Sequence, residues 1–150
     1  MPVRMKIETF NKRYQDKSIR KIYSLCKVEA QRLSKELRQV SPGYCQCFVT
    51  NQIKPIKQMQ GGHFKHTGSS MPDTGLWHIN IHPQTVKSNY YDNNEGMYRA
   101  KMIEKYGEST VNLIEWKSKQ SKKWEKSELI QILWDLRHNI PYGPEEELEF

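Results

Sequence analysis

The chain has 150 residues, of which 36% are hydrophobic, 11% aromatic and 27% charged, and its formal net charge is +7. This length and composition fit a single folded domain with a modest core and argue against a largely disordered chain. No apolar run reaches the roughly 18 residues that span a bilayer, and the N-terminus lacks the apolar run of a secretory signal, so we expect a cytoplasmic protein.

The three cysteines indicate reduced thiols and not a disulfide framework. Their number is odd, and Cys45 and Cys47 are separated by one residue, which is poor geometry for a mutual bridge. Reduced thiols in a reducing compartment are the simpler interpretation.

The positive charge is concentrated in the body of the chain. The last six residues contain four glutamates and no lysine or arginine, so residues 1–144 carry +11. A charge of this size attracts polyanions and accelerates their encounter with the protein, which predicts a nucleic-acid partner. The alternative is a basic surface that only keeps the protein soluble.

The first forty residues predict an arm followed by a long helix. Residues 1–15 are basic and weakly patterned, and we expect a flexible or loosely docked arm. Residues 16–40 predict a packing helix, with Asp16 or Ser18 as its cap and S-P-G at 41–43 as its stop. The apolar positions that recur every three or four residues are Ile19, Ile22, Cys26, Ala30, Leu33 and Leu37.

Residues 44–96 predict a small core of strand, loop, strand and helix. The first strand is expected at 44–50, and Gly61 and Gly62 allow a sharp turn or a close approach of backbone. Residues 67–75 are rich in turn-forming residues and predict a loop. Residues 77–82 alternate apolar and polar side chains and predict a second strand ended by Pro83, followed by a short helix and a turn at 92–96.

The remaining residues predict helices at 97–106, 109–117 and 126–139, and an acidic tail at 140–150. Gly107 separates the first two helices and Ser109 is the candidate cap of the second. Leu129, Leu133 and Leu136 form the buried stripe of the third. With no repeat and no linker, residues 1–150 are predicted to form one domain of the α+β class that is mainly helical.

The order of polar residues in the core predicts phosphodiester chemistry. Hydrolysis needs a base to activate water, a divalent cation to neutralise the phosphate and the leaving oxygen, and an acceptor that fixes the tautomer of the base. His63, Asn89 and Asn80 can fill these three roles in turn, and His63 is also a candidate metal ligand. Strand, loop, strand and helix with these residues is the order of an HNH nuclease.

A series of short motifs within residues 45–116 is more specific than any of its members. The members are CFVT at 47–50, GHF at 62–64, NIHPQ at 80–84, Asn89, GMYR at 96–99 and EKYGE at 104–108. This series resembles the NinG (Rap) family of phage recombination proteins, which are HNH-type (ββα-metal) endonucleases. The resemblance implies a phosphodiester hydrolase that uses Mg²⁺ or Mn²⁺ to cut branched or structured DNA, such as Holliday junction-like intermediates. It also implies the host cell cytoplasm if the protein is phage-encoded.

The chain departs from this family at a structural zinc site. The family has two Cys-x-x-Cys pairs, whereas this chain has Cys47 with Thr50, and Thr85 with Ser88. Hydroxyls are poor zinc ligands, so we predict that structural zinc is absent. Its loss forgoes on the order of 10 kcal/mol of folding energy, which packing or hydroxyl hydrogen bonds must offset. A salvage site of Cys45, Cys47 and a nearby histidine is the alternative.

A second departure concerns catalysis. Many HNH enzymes carry an aspartate ligand directly before the base histidine, where this chain and the NinG pattern have Gly62. Polar residues of the family are replaced at 77–79 by Trp77, His78 and Ile79. A second hypothesis therefore stays open, in which the protein is a catalytically weakened DNA-binding module that retains the HNH fold.

Ordinary structural roles also stay open for the site residues. His63 could be a polar strand-end residue, Asn80 a turn residue and Asn89 a helix-start residue. His82 is a candidate structural histidine beneath the second strand. Trp77 is expected in the core and not as a platform for a base.

Cations along the chain are the predicted DNA contacts. A lysine run around Trp124 would grip the phosphate backbone, which gives affinity without sequence readout, and its alternative is a solvated linker. Cutting a junction requires cuts on two strands, which makes a homodimer reasonable. The predicted contacts are Lys54, Lys57, Lys65, His66, Lys87, Arg99, Lys117, Lys119, Lys122 and Lys123.

Overall fold

The computed structural model describes residues 2–66, 68–91 and 94–145. It confirms a mainly helical α+β fold, 56% helical with two small antiparallel sheets. No helix in these ranges is long and apolar enough to cross a membrane. The helices are α1 (Pro2–Tyr14), α2 (Ile19–Glu36), α3 (Glu95–Tyr106), α4 (Glu108–Ser118) and α5 (Lys126–Arg137). The strands are β1 (Gln39–Ser41), β2 (Tyr44–Gln46), β3 (Ile53–Pro55), β4 (Met59–His63) and β5 (Ile81–Thr85).

The segment predicted to be an arm is the helix α1, so that prediction was wrong. The helix packs on α5, where the rings of Phe10 and Trp134 meet edge-on with their centroids 5.3 Å apart. The Arg137 guanidinium lies 5.6 Å from the centroid of the Phe10 ring and donates to the Tyr14 hydroxyl. Tyr14 and Arg137 are 123 residues apart, so the local sequence pattern could not reveal this partner.

α2 is the central helix and confirms the predicted amphipathic segment, although it is shorter than 16–40. Of the two candidate caps it uses Ser18, whose side chain accepts a backbone hydrogen bond from the first turn. Its buried face packs on Leu129, Leu133 and Leu136 of α5, the predicted stripe. The helix ends early because β1 begins at Gln39, and the S-P-G sequence at 41–43 lies at the β1–β2 turn.

β1, β2 and β3 form an antiparallel sheet in that order. β2 covers only the first part of the strand predicted at 44–50, because residues 48–50 form a turn. β1 and β3 were not predicted because each has three residues and no buried side chain, which leaves no pattern to detect. Cys45 and Cys47 are buried in a core cluster with Trp77 and Tyr98.

β4 and β5 form a second antiparallel pair, in which Gly62 lies opposite His82 and His63 opposite Ile81. The strand predicted at 77–82 was misplaced, because residues 78–80 form a 3₁₀ turn and the strand runs from 81 to 85. All five β5 residues are buried, so the strand shows no alternation. Pro83 is tolerated because β5 has a single partner strand, and its carbonyl accepts from Phe48 N–H at 2.8 Å.

A helical turn at 87–91 follows β5, and α3, α4 and α5 confirm the three predicted C-terminal helices. Ser109 is not the cap of α4, because Gly107 occupies that position with a φ of +88°. Tyr98 and Met102 of α3 and Ile114 of α4 pack together in the second core cluster. This cluster and α2 enclose the β4–β5 pair. Residues 92–93 of the predicted turn and 146–150 of the predicted tail lie outside the described residues.

Candidate active site

His63 ends β4 and is only 8% exposed. Its Nε2 lies 2.8 Å from the carbonyl oxygen of Gly75, and because a carbonyl can only accept, Nε2 carries the proton. Burial lowers the pKa of His63 to about 4, although the Gly75 hydrogen bond opposes this shift. The ring is therefore neutral at neutral pH with an unprotonated Nδ1, the state that a base or a metal ligand requires.

Asn80 is fully buried, and it does not bond to the His63 ring. Its Oδ1 accepts from Lys65 N–H at 3.0 Å, and its Nδ2 donates to the carbonyls of Lys65 at 3.0 Å and Thr74 at 2.9 Å. The predicted contact between Asn80 and the base is thus replaced by the Gly75 carbonyl. Asn80 instead fixes the backbone on both sides of the imidazole, because Thr74 directly precedes Gly75.

His63 and Asn89 line one cavity of about 180 Å³. Asn89 lies on the helical turn at 87–91, and its Nδ2 donates to Gln60 Oε1 at 2.8 Å. This bond orients the amide and leaves Asn89 Oδ1 as its possible metal-binding atom. Other polar residues that line the cavity are Lys65, His66, Gln84 and Glu95.

Gln84 is a cavity residue that the sequence pattern did not single out. It is 3% exposed, and its Nε2 donates to Ser88 Oγ at 3.1 Å. A Cβ atom at Gly62 would lie 1.6 Å from Gln84 Oε1 and 3.0 Å from Asn89 Oδ1. Glycine is therefore required at position 62 so that the two amides can approach the backbone of β4. The position of Gln84 directly after His82-Pro83 in the motif was the available signal.

Two predicted DNA contacts are paired with carboxylates: Lys65, which lines this cavity, and Arg99 of α3. Lys65 Nζ forms an ion pair with Glu95 and lies 3.6 Å from a carboxylate oxygen of Glu115. Arg99 Nη2 lies 3.0 Å from the other oxygen of Glu115. The Lys65 hydrogen bond holds the pKa of Glu95 below its ordinary value, so this carboxylate is ionised at neutral pH.

Cys47, Thr50, Thr85 and Ser88, the positions at which the sequence resemblance implied a zinc site, lie close together. Cys47 Sγ accepts from the backbone N–H groups of Thr50 and Thr85, both at 3.5 Å. Thr85 Oγ1 accepts from Ser88 N–H at 3.1 Å. Hydrogen bonds between thiol, hydroxyl and backbone therefore connect these positions in this chain.

The thiols of Cys45 and Cys47 have different surroundings. Burial raises the pKa of the Cys47 thiol, but hydrogen bonds from Thr50 and Thr85 outweigh burial and leave this pKa below its ordinary value. Cys45 Sγ instead donates to the carbonyl of Lys35 at 3.3 Å. Among the residues that the structure describes, no three His, Cys, Asp or Glu side chains are grouped to hold a metal, as the salvage site would require. The absence of zinc stays a prediction.

His82 is completely buried and connects two tyrosines to the candidate site. Tyr98 OH donates to the Gly62 carbonyl at 2.7 Å, so its oxygen can only accept from His82 Nδ1 at 3.3 Å. Tyr106 OH then donates to His82 Nε2 at 2.7 Å. The ring is also stacked on Phe48 with centroids 4.0 Å apart. His82 is a structural residue that holds the backbone beside His63.

Most of the lysine run lies along a groove of about 410 Å³. Lys117, Lys122 and Lys123 line the groove together with Trp116, whose side chain is 60% exposed. Lys122 is held by Glu128 at 3.1 Å. The exposed ring of Trp116 was not recognised from the sequence, because a single aromatic residue near the end of a helix does not reveal whether it is buried.

A single 3₁₀ turn, Asp73–Leu76, connects this groove to His63. Asp73 lines the groove, and its carboxylate accepts from Trp77 Nε1 and the Tyr142 hydroxyl. Gly75, two residues later, accepts from His63. At about 2 Å of rise per residue, Asp73 at the groove and Gly75 beside His63 are roughly 4 Å apart along this turn.

The other predicted contacts are more dispersed. Lys87 is exposed on the same turn as Asn89, whereas Lys54 lies in β3 and Lys57 in the 3₁₀ turn before β4. Lys119 is exposed just after α4. None of these four lines the cavity of His63.

These features define a small α+β protein in which a neutral buried histidine and two amides share a cavity beside a basic groove. The family model described as bacteriophage lambda NinG protein matches residues 4–141, so the chain belongs to the NinG family. It is therefore a phage recombination-related protein. The match extends beyond 45–116 to include most of α1 and all of α2 and α5. No curated protein and no solved structure matches the chain.

Proposed function

We propose that this protein is a metal-dependent HNH-type DNA endonuclease that acts on branched or structured DNA, such as Holliday junction-like intermediates, in the host cytoplasm. The observation that carries the proposal is His63, a neutral imidazole with an unprotonated Nδ1, which lines a cavity together with Asn89. Family membership supports the recombination-related substrate.

The donor set fits a hard divalent cation such as Mg²⁺ or Mn²⁺. The amide oxygen of Asn89 suits such ions, and Mg²⁺ in particular binds few protein ligands and keeps several waters. The cation would neutralise charge on the phosphate and on the leaving oxygen. Asn89 would hold it, and His63 would remain the base or share in its binding.

His63 Nδ1 would accept the proton of the attacking water. The Gly75 carbonyl keeps the proton on Nε2, and Asn80 keeps that carbonyl in place. A pKa near 4 makes a weak base, but a phosphate anion bound beside the ring favours the protonated form and raises this pKa. His63 is therefore best suited to act when DNA is bound.

The lysine groove would carry the DNA backbone. Lys117, Lys122 and Lys123 offer phosphate contacts without sequence readout, and the exposed Trp116 ring offers a stacking face for an unpaired base. Branched DNA that contains a flap or a gap has unpaired bases, and such bases favour structured DNA over plain duplex. A homodimer would supply the second cut that junction resolution requires.

A binding module without hydrolysis is the second candidate function. It is favoured by the ion pair between Lys65 and Glu95, because Glu95 is the carboxylate at the cavity and is already neutralised. The protein would then bind branched DNA through the lysine groove alone.

A cleavage assay on a four-way junction with Mg²⁺ or Mn²⁺ separates the two functions. His63→Ala should reduce cleavage by roughly 10²–10⁴-fold and leave DNA affinity within a few-fold of wild type, because affinity depends mainly on the lysines. His138→Ala, at an exposed histidine after α5, is the matched control and should cut normally. Equal cleavage by His63→Ala would refute the assigned base. Tight binding by a wild-type protein that never cuts would favour the binding module.

A further inference from the structure

Gln84 is a buried side chain at the cavity whose amide oxygen has no protein donor among the described residues. The side chain is 3% exposed, and its Nε2 is used by Ser88 Oγ, which also accepts from Asn94 Nδ2 at 3.1 Å. No described residue donates a hydrogen bond to Gln84 Oε1. This oxygen keeps its accepting capacity, so it is available to a ligand that enters the cavity.

Two more acceptor atoms line the same cavity. Asn89 uses its Nδ2 on Gln60 and His63 uses its Nε2 on Gly75, so Asn89 Oδ1 and His63 Nδ1 also lack a donor among the described residues. A neutral ligand would bring donors and acceptors alike. The Lys65 ammonium group also lines the cavity, but it is paired with Glu95 and Glu115. The three acceptors that lack a protein donor therefore match a cation.

The two amide oxygens converge on one point. That point is the Cβ position of residue 62, which would lie 1.6 Å from Gln84 Oε1 and 3.0 Å from Asn89 Oδ1. Gln84 thus occupies the space in which a side chain at position 62 would begin. The two oxygens are within a few ångströms of each other, as two ligands of one ion must be.

We propose that Gln84 Oε1 is a ligand of the divalent cation together with Asn89 Oδ1, and that it takes the place of the carboxylate missing at Gly62. This inference rests on the proposed function. Gln84 is thereby added to the site as a binding residue, a role that neither the order of the motifs nor the pairing of His63 with Asn89 had assigned to it.

Uncharged ligands make the cation depend on DNA. Gln84 and Asn89 bring no negative charge, and the Glu95 carboxylate at the rim is paired with Lys65. A hard divalent ion gains most from anionic oxygens, so the cation binds weakly until a phosphate of the DNA completes its shell. Because such coupling is reciprocal, the cation also tightens DNA binding at this site.

A titration with Mn²⁺ alone tests the ligand without relying on cleavage. Bound and free Mn²⁺ are separated by electron paramagnetic resonance, with and without a four-way DNA junction. Gln84→Glu adds a negative charge in nearly the same shape and should tighten Mn²⁺ binding to the DNA-free protein by roughly tenfold or more. The control Gln52→Glu adds the same charge at an exposed position just before β3 and should leave Mn²⁺ binding unchanged.

Gln84→Ala supplies the complementary test. It should weaken Mn²⁺ binding to the protein–DNA complex by roughly tenfold or more, while DNA affinity in metal-free buffer stays that of wild type. Equal Mn²⁺ affinities for Gln84→Glu and Gln52→Glu would overturn the proposal even if His63→Ala abolishes cleavage. Conversely, if Gln84→Glu binds Mn²⁺ more tightly while His63→Ala cleaves DNA as wild type does, Gln84 remains a metal ligand and His63 is not the catalytic base.

Discussion

Gly62→Ala is a small substitution that should have a large effect on stability. The added Cβ would lie 1.6 Å from Gln84 Oε1 and 2.6 Å from Gln84 Cδ, so the glutamine side chain has to move. Moving it breaks the hydrogen bond from Gln84 to Ser88 and disturbs a buried region. The contact with Asn89 Oδ1 at 3.0 Å is tight but needs only a slight shift.

The expected cost follows from these two effects. Overpacking costs about 1–3 kcal/mol and the lost hydrogen bond about 1 kcal/mol, so Gly62→Ala should lower the free energy of unfolding by about 2–4 kcal/mol. For a chain of this length each kcal/mol shifts Tm by about 2–4 °C, which predicts a fall of roughly 4–16 °C.

A double-mutant cycle provides the assay. Urea unfolding is measured for wild type, Gly62→Ala, Gln84→Ala and the double variant. When Gln84 is already alanine, Gly62→Ala should cost less than about 1 kcal/mol, because the clashing atoms are gone.

Gly61→Ala is the matched control. Its Cβ would lie 2.7 Å from the backbone oxygen of Gln31 and 2.8 Å from the Gln31 Cα. Truncating Gln31 to alanine removes neither atom, so the cost of Gly61→Ala should persist in the Gln31→Ala background. An equal cost of Gly62→Ala with and without Gln84 would refute the inferred contact.

The remaining predictions concern the groove, the cysteines and the buried histidine. Neutralising Lys117, Lys119, Lys122 and Lys123 should flatten the log–log salt dependence of duplex binding by roughly 0.9 per lost phosphate contact. Trp116→Ala should weaken binding to a junction with unpaired bases but not binding to plain duplex. If the salt dependence does not change and Trp116→Ala binds both DNAs as tightly as wild type, the lysine run is a solvated linker. Elemental analysis should find no stoichiometric zinc, and a strong chelator should leave Tm unchanged, whereas one zinc per chain would contradict this. The pKa of folded His63, about 4, lies below its ordinary value of 6.5, so the unfolded chain takes up the proton first and stability falls as the pH drops through this window. His63→Gln should therefore lose about 3 kcal/mol less than wild type between pH 7 and pH 4 in urea titrations, and an equal loss would show that His63 does not titrate on unfolding.

A helix could be predicted from the sequence where its buried face shows as apolar residues at helical spacing. α2 and α5 bury apolar residues at helical spacing, and both were recognised. α1 was not, because Phe10 and Tyr14 are its main aromatic contacts and they pack on residues at the other end of the chain. β5 was misplaced because it is buried on both faces and contains Pro83, which usually marks the end of a strand.

The candidate site could be predicted only in part from motif order. The order brought out His63 and Asn89, which do line one cavity. The acceptor that holds His63 is a backbone carbonyl, which no side-chain motif identifies. The approach of Gln84 to Gly62 depends on the register of β4 and β5, in which Gly62 lies opposite His82. That register is a property of the sheet and cannot be derived from either strand alone.

The packing of α1 and α2 on α5 limits when this chain can fold during its synthesis. Tyr14 and Arg137 are 123 residues apart. At about 5–20 residues per second, roughly 6–25 s pass between their emergence from the ribosome. Until α5 has emerged, the apolar face of α2 lacks its helical partner, whereas α3 and α4 are neighbours and can pair at once. A nascent chain that stalls before residue 126 would expose this face to chaperones, proteases and other unfinished chains.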